Sequence, residues 1–312
     1  MNTKKIMQQD YQQIWENLTL SNDFLFGKIM NDKKLCTEMI KRILPDIDIG
    51  KIKLIQSQKS SKSTFDTRGV RFDVYAKSDN KKIFDCEVQT SDKKDLPRRT
   101  RAYHIVMGLE ALNKNILKKS GSYNDLPDVF VIFICTFDPF NQGRHIYSFY
   151  NRCNEDVKLK LNDGAATIFL NTEGKIDDVS PKLKAFLDFM KGEPSEEDSF
   201  IQELDKKLFQ AKQNSRWRKE YMLLLMREQE NRAEARAEGR AEGLAAGRAE
   251  GRAQGIAEGR VEGRVQGIAE GMVEGRREAN FETARRLREM GMNDNDIHRA
   301  TNLSLEDLRT II

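Results

Sequence analysis

A chain of 312 residues, 38% hydrophobic and 33% charged, has room for one sizeable domain plus an appendage, and its formal net charge of +4 makes it only mildly basic. It has no run of 18 apolar residues, and its opening MNTKKIMQQDYQQIW lacks the apolar segment of a signal peptide. No transmembrane helix is therefore expected, and the chain is expected in the cytoplasm. The four cysteines, at 36, 86, 135 and 153, show no CxxC pairing, and Cys86 and Cys135 lie within apolar strands and read as buried thiols.

Residues 1 to 20 predict a short lead-in helix. Ser21, Asn22 and Asp23 offer capping oxygens to a helix from Phe24 to Leu44, which Pro45 stops. Lys51 to Gln58 predicts a first strand, and Lys59 to Thr67 a polar loop. Gly69 to Thr90 then predicts a hairpin turning at Ser78-Asp79-Asn80-Lys81. Val70, Phe72, Val74 and Ala76 share one parity, with Phe84, Cys86 and Val88 as the matching apolar set. The other parity holds Arg71, Asp73, Tyr75, Asp85, Glu87 and Gln89. Folding the hairpin about Asn80 sets Asp73 opposite Glu87 and Arg71 opposite Gln89. Opposed Cβ atoms lie roughly 4.5–5.5 Å apart. Two carboxylates that close repel unless a cation sits between them, and a hard divalent ion such as Mg2+ suits the geometry.

Leu96-Pro97 opens a helix to about Lys119, on which Arg99 and Tyr103 share a face. Asp128 to Phe137 is a nearly continuous apolar strand, fit for the middle of a sheet. Arg144 to Tyr150 and Ala165 to Asn171 read as shorter strands, and Pro181 to Met190 and Phe200 to about Asn231 as helices. The pattern alone supports an α/β or α+β domain over 1–230.

A tail over 231–278 follows. Glycine recurs there every four residues from Gly239 to Gly275. Ten glycines inside a helix cost on the order of 10 kcal/mol relative to alanine. The i,i+4 neighbours are Glu–Glu and Arg–Arg, which repel. Two readings stay open: a solvated spacer with fluctuating helix, and a long helix whose Gly/Ala surface admits a second helix in a coiled-coil-like pair. Residues 279–312 regain apolar pattern and predict a small helix-turn-helix-like end. Its last helix, LEDLRTII, is too acidic for a typical base-reading helix, which favours packing or dimerisation. His104, His145 and His298 stand apart in sequence, and no zinc cluster, nucleotide-binding glycine loop or Ser-His-Asp set is visible.

Asp73 followed by Glu87-Val88-Gln89 on the next strand resembles the PD-(D/E)XK nuclease motif in its E-x-Q form. SNDFLFGKIM, GVRFDVYAK, DCEVQT, LPRRTRAYH, VFVIFICTFDPF and DGAATIFLNTEG resemble, in that order, the recombination-promoting nuclease (Rpn) family, often described as transposases. The likeness covers about residues 17 to 230, and an Ala-Glu-Gly-Arg tail is also common in that family. The three-residue motif alone is weak, whereas six blocks in order are specific. Two departures stand out. Phe72 replaces the motif proline, and Gln89 replaces the lysine although it can be neither cation nor base.

The resemblance implies an α/β, restriction-endonuclease-like αβββαβ core. It implies a metal-dependent DNA endonuclease that hydrolyses phosphodiester bonds, linked to recombination or mobile elements. Asp73 and Glu87 would hold Mg2+ (or Mn2+ or Ca2+), and Gln89 would orient the attacking water. Asp23 serves equally as a helix cap or as an added carboxylate. Arg99, Arg101, Tyr103 and Lys28 would meet DNA phosphates. A homodimer, formed through the C-terminal helices, would supply two sites. The competing expectation is a weak or inactive nuclease fold that binds DNA or assembles through its tail. The retained acids at 73 and 87 favour the enzyme.

Overall fold

In a computed structural model, which describes residues 11–61, 70–115 and 122–311, two capping side chains divide the first long helical stretch. Asn22 accepts the Leu25 N–H and opens α1 (Asp23–Met30), and Asp32 accepts from Lys34 and Leu35 and opens α2 (Lys33–Ile43). The single helix expected from Phe24 to Leu44 is therefore two, because Asp32 competes for the backbone in mid-stretch. The first ten residues of the expected lead-in helix, residues 62–67 of the loop and the last four residues of the helix to Lys119 lie outside the described residues.

Strands β1 (Ile52–Ser61), β2 (Val70–Ser78) and β3 (Lys82–Gln89) form a meander, and α3 (Leu96–Asn115) carries the chain to β4 (Asp128–Cys135). Then come β5 (Ile146–Tyr150), β6 (Ala165–Asn171), α4 (Pro181–Lys191) and α5 (Ser199–Gln213). The strands lie in the order β1-β2-β3-β4-β6-β5, with β3, β4 and β6 parallel and β5 antiparallel on its edge. Helices cover both faces, and β4 is buried from Val129 to Cys135 on either side, as its unbroken apolar run predicts. This mixed sheet, entered by helix and three-strand meander, is the restriction-endonuclease-like core.

On one face Val74, Ala76, Phe84, Cys86, Val88 and Ile132 pack under α1, α2, α4 and α5. On the other, Tyr75, Ile83, Val131, Phe133 and Phe169 pack against Leu96, Tyr103 and Met107 of α3. Phe72 belongs to this second face and not with Val74, contrary to the alternation in the sequence. The cause lies opposite, where Gln58 of β1 takes φ 55 in mid-strand. The β1–β2 ladder pairs Ser57 with Val74 and Lys59 with Phe72 but leaves Gln58 and Asp73 out. A residue in the left-handed region turns the strand locally and shifts side-chain parity by one.

Arg42 clamps α2 to α5. Its guanidinium meets both oxygens of Asp198, at 2.7 and 2.8 Å, and lies 4.3 Å from the Phe200 ring centroid. Its side chain is 5% exposed, so Arg42→Ala takes from Asp198, the cap of α5, its charged partner and both charge-assisted hydrogen bonds. The expected loss is roughly 3 kcal/mol in urea unfolding, with unchanged slope.

The chain divides into two compact units, 1–226 and 227–312. Helix α6 (Ser215–Glu289) runs unbroken through all ten glycines, and every residue from 226 to 279 is exposed. A Cβ added at any glycine from Gly239 to Gly275 would meet nothing within 4 Å. No packing offsets the glycine cost along this stretch, so a peptide of residues 231–278 should show weak ellipticity at 222 nm. Strong helicity independent of concentration would show that the side chains support the helix alone. Beyond it, Ala284, Ile297, Leu303, Leu308 and Ile311 form a small core joining the end of α6 to α7 (Asp294–Thr301) and α8 (Leu305–Arg309). No helix among the described residues is long and apolar enough to cross a membrane.

Candidate active site

The β2–β3 ladder runs from Lys77 opposite Ile83 to Val74 opposite Cys86, in the register that sets Asp73 against Glu87. At that point side chains take over from backbone. The Asp73 N–H donates to Glu87 Oε1 at 2.8 Å, and the Val88 N–H donates to Asp73 Oδ2 at 3.1 Å. The hairpin thus opens at its end, with two carboxyls in place of the next backbone rung. A solvated polar face is not what results: Asp73 is 8% exposed and Glu87 4%.

A third acid sits beside them. Asp85 is fully buried, and no N–H or hydroxyl of the described residues reaches either of its oxygens. Burial, then the neighbouring Glu87 charge, holds its carboxyl well above the usual range. Neither of its oxygens has a hydrogen-bond partner among the described residues, and the Glu87 and Asp73 charges beside it disfavour its ionisation further. Burial and the Glu87 charge likewise push Asp73 up to about 8. Burial also raises Glu87, against the hydrogen bonds from the Asp73 N–H and the Tyr103 hydroxyl that favour its charged form.

Helix α3 closes the site. The Tyr103 hydroxyl donates to Glu87 Oε2 at 3.1 Å and accepts from Arg99 Nη2 at 3.2 Å. Arg99 Nη1 donates to Gln89 Oε1 at 2.7 Å, and Gln89 Nε2 donates to the Ser91 carbonyl at 2.8 Å. A continuous path therefore runs from Ser91 through Gln89, Arg99 and Tyr103 to Glu87 and Asp73. Phe72, which stands where the motif has proline, sets its ring edge-on to Tyr103 at 5.5 Å. The parity shift at Gln58 brings it there.

Of the residues singled out in the sequence, Asp73, Glu87, Gln89, Arg99 and Tyr103 come together. Asp23 is exposed and accepts its neighbour's N–H, yet its charge still raises Asp73. Lys28 pairs with Glu220 at 2.9 Å and lies near the Phe24 and Trp217 rings. Arg101 is exposed, two residues from Arg99 and so on another side of α3. The expected pairing of Arg71 with Gln89 does not form, because Gln89 turns to Ser91 and Arg99 once the ladder has opened. Sequence reasoning gave no role to Asp85, whose signal was three acids of one parity. The histidines have ordinary partners in Thr167, the Ile176 carbonyl and the Leu303 carbonyl.

The donor set fits a hard divalent cation. Asp73 and Glu87 supply ionisable oxygens with lone pairs beyond those their N–H and O–H donors use. Three buried acids, one of them with no donor on its oxygens, are the electrostatic situation a cation relieves. Among the described residues no three His, Cys, Asp or Glu side chains converge as a metal-holding group. Two carboxylates completed by water, backbone and phosphate oxygens form the kind of shell Mg2+ accepts.

A family model described as PD-(D/E)XK nuclease family transposase matches residues 21–237. No curated protein and no solved structure matches the chain.

Proposed function

The chain belongs to the PD-(D/E)XK nuclease family transposases, and on that premise we propose that it is a metal-dependent endonuclease hydrolysing phosphodiester bonds in DNA. The observation that carries this reading is the opened end of the β2–β3 ladder, where Asp73 and Glu87 replace a backbone rung beside a third buried acid. Asp73 and Glu87 would hold the cation, Mg2+ or Mn2+. When bound, it acidifies a water and neutralises charge on the scissile phosphate. The protein's own part is placement. The Asp73 and Val88 N–H groups fix the two carboxyls against each other, and Tyr103 fixes the second oxygen of Glu87. Lys93, Lys94, Arg98 and Arg101 crowd the segment between β3 and the first turns of α3, and they would track the DNA backbone. Asp23 would add charge at the rim. Cutting both strands takes two sites, which a homodimer would supply.

The test is plasmid relaxation with Mg2+, Mn2+, Ca2+ or EDTA. Nicked and then linear product in Mg2+ or Mn2+, and none in EDTA, is expected. DNA retention without cutting in any metal would leave a binding module in place of an enzyme.

A further inference from the structure

We propose that Arg99 is the cation of this site, standing in for the strand lysine that Gln89 displaces, and that Gln89 is the positioning residue that holds it there. The inference rests on the nuclease reading and goes beyond it by assigning a charge that the E-x-Q strand lacks.

Residues two apart on a strand point to the same side. A cation carried at position 89 would therefore lie beside Glu87 on the face that α3 covers. Gln89 has no charge, but its carboxamide oxygen takes Arg99 Nη1 at 2.7 Å. Its nitrogen is anchored to the Ser91 carbonyl and hydroxyl, at 2.8 and 3.3 Å, which fixes the direction in which the oxygen points. The guanidinium also donates to Tyr103, which in turn donates to Glu87. It is further seated over the Phe133 and Tyr103 rings, with centroids 5.4 and 5.8 Å away. Phe133 is the residue that β4 sets against Glu87 in the parallel register.

A guanidinium has five N–H donors. Gln89 and Tyr103 use two, leaving three for the non-bridging oxygens of a phosphate. Arginine presents those donors as a planar fork matched to phosphate, and it stays charged at any working pH. The Gln89 side chain is bonded at both ends, so its ordinary task is to aim Arg99 and not to touch water or phosphate itself.

The experiment compares Arg99→Ala, Gln89→Ala, the double variant and Gln89→Lys/Arg99→Ala in the full chain. It reads single-turnover cleavage in Mg2+ and binding of a short duplex in Ca2+. Removing Arg99 should slow cleavage about 100-fold. Gln89→Ala should slow it about tenfold, and the double variant should match Arg99→Ala, because Gln89 acts through Arg99. Returning a cation to the strand, Gln89→Lys/Arg99→Ala, should recover about tenfold over Arg99→Ala. A purely structural glutamine would give no such rescue. Losses that multiply in the double variant, or a rescue variant that folds normally yet stays at the Arg99→Ala rate, overturn the proposal.

If the wild type cuts nothing in any metal, the nuclease reading has failed and the binding arm decides this one separately. Arg99→Ala and the double variant should then bind the duplex about tenfold more weakly, to the same extent, with Gln89→Ala between them and the wild type. Equal affinity in all of them, wild type included, overturns the role of Arg99 and Gln89.

Discussion

Asp73→Asn and Glu87→Gln should each abolish metal-dependent cleavage, by on the order of 10³-fold or more, and at the same time raise the thermal midpoint in EDTA. The two effects share one cause. Asp73, Asp85 and Glu87 are buried against one another, and in the absence of a cation each added charge is unfavourable. An amide keeps the backbone contacts of the opened ladder, while Glu87→Gln gives up the acceptor for the Tyr103 hydroxyl and should therefore gain less than Asp73→Asn. The carboxamide oxygen of Asp73→Asn can still accept from the Val88 N–H, and that of Glu87→Gln can still accept from the Asp73 N–H. What the amide loses is its affinity for a hard cation. A gain of about 1 kcal/mol corresponds to roughly 2–4 °C in a domain of this size. Adding Mg2+ should reverse the order, because only the wild type gains stability by binding. Differential scanning calorimetry with EDTA and then Mg2+ reads this crossing directly. If variants and wild type melt together in both, or cut DNA equally, the acids are an ordinary strand face and the site lies elsewhere.

Much of this site was legible in the sequence because its logic is local. The turn at Ser78 to Lys81 fixes the hairpin register, and the register sets Asp73 against Glu87. The run VFVIFIC likewise placed β4 in the centre. Information about what covers a face is not local. Alternation put Asp73 and Glu87 together on the polar parity of the hairpin but did not show what lies over it, which is Leu96, Tyr103 and Met107 of α3. That cover is what turns a polar strand into a cluster of raised carboxyls, and it is why Asp85 went unremarked. The position of Phe72 also escaped, since it depends on a left-handed residue, Gln58, one strand away. In Gln89 the sequence showed a missing charge. Only the crossing of α3 over β3 shows Arg99 beside it, from ten residues on.

The metal-free protein should lose stability as pH rises, from the ordinary carboxylate range through about 8, the value to which Asp73 is pushed. An acid whose folded pKa lies above its unfolded one binds more protons folded than unfolded across that window. Its stabilising contribution is complete below the unfolded value and gone above the folded one. Each such proton gives a slope of up to about 1.4 kcal/mol per pH unit. Asp85 and Glu87 shift in the same direction and steepen the fall. This is the reverse of the usual protein, whose ion-paired carboxylates gain stability over the acid part of the same range. Saturating Mg2+ should flatten the dependence, because its ligands are held ionised and binding expels their protons. Urea midpoints between about pH 5 and 9, with EDTA and with Mg2+, provide the measurement. Asp73→Asn should remove part of the slope in EDTA and nearly all of its sensitivity to metal. A stability that is level across this range in EDTA, or a slope that Mg2+ leaves untouched, would mean that the three acids are not confined together as Asp73, Asp85 and Glu87 are here.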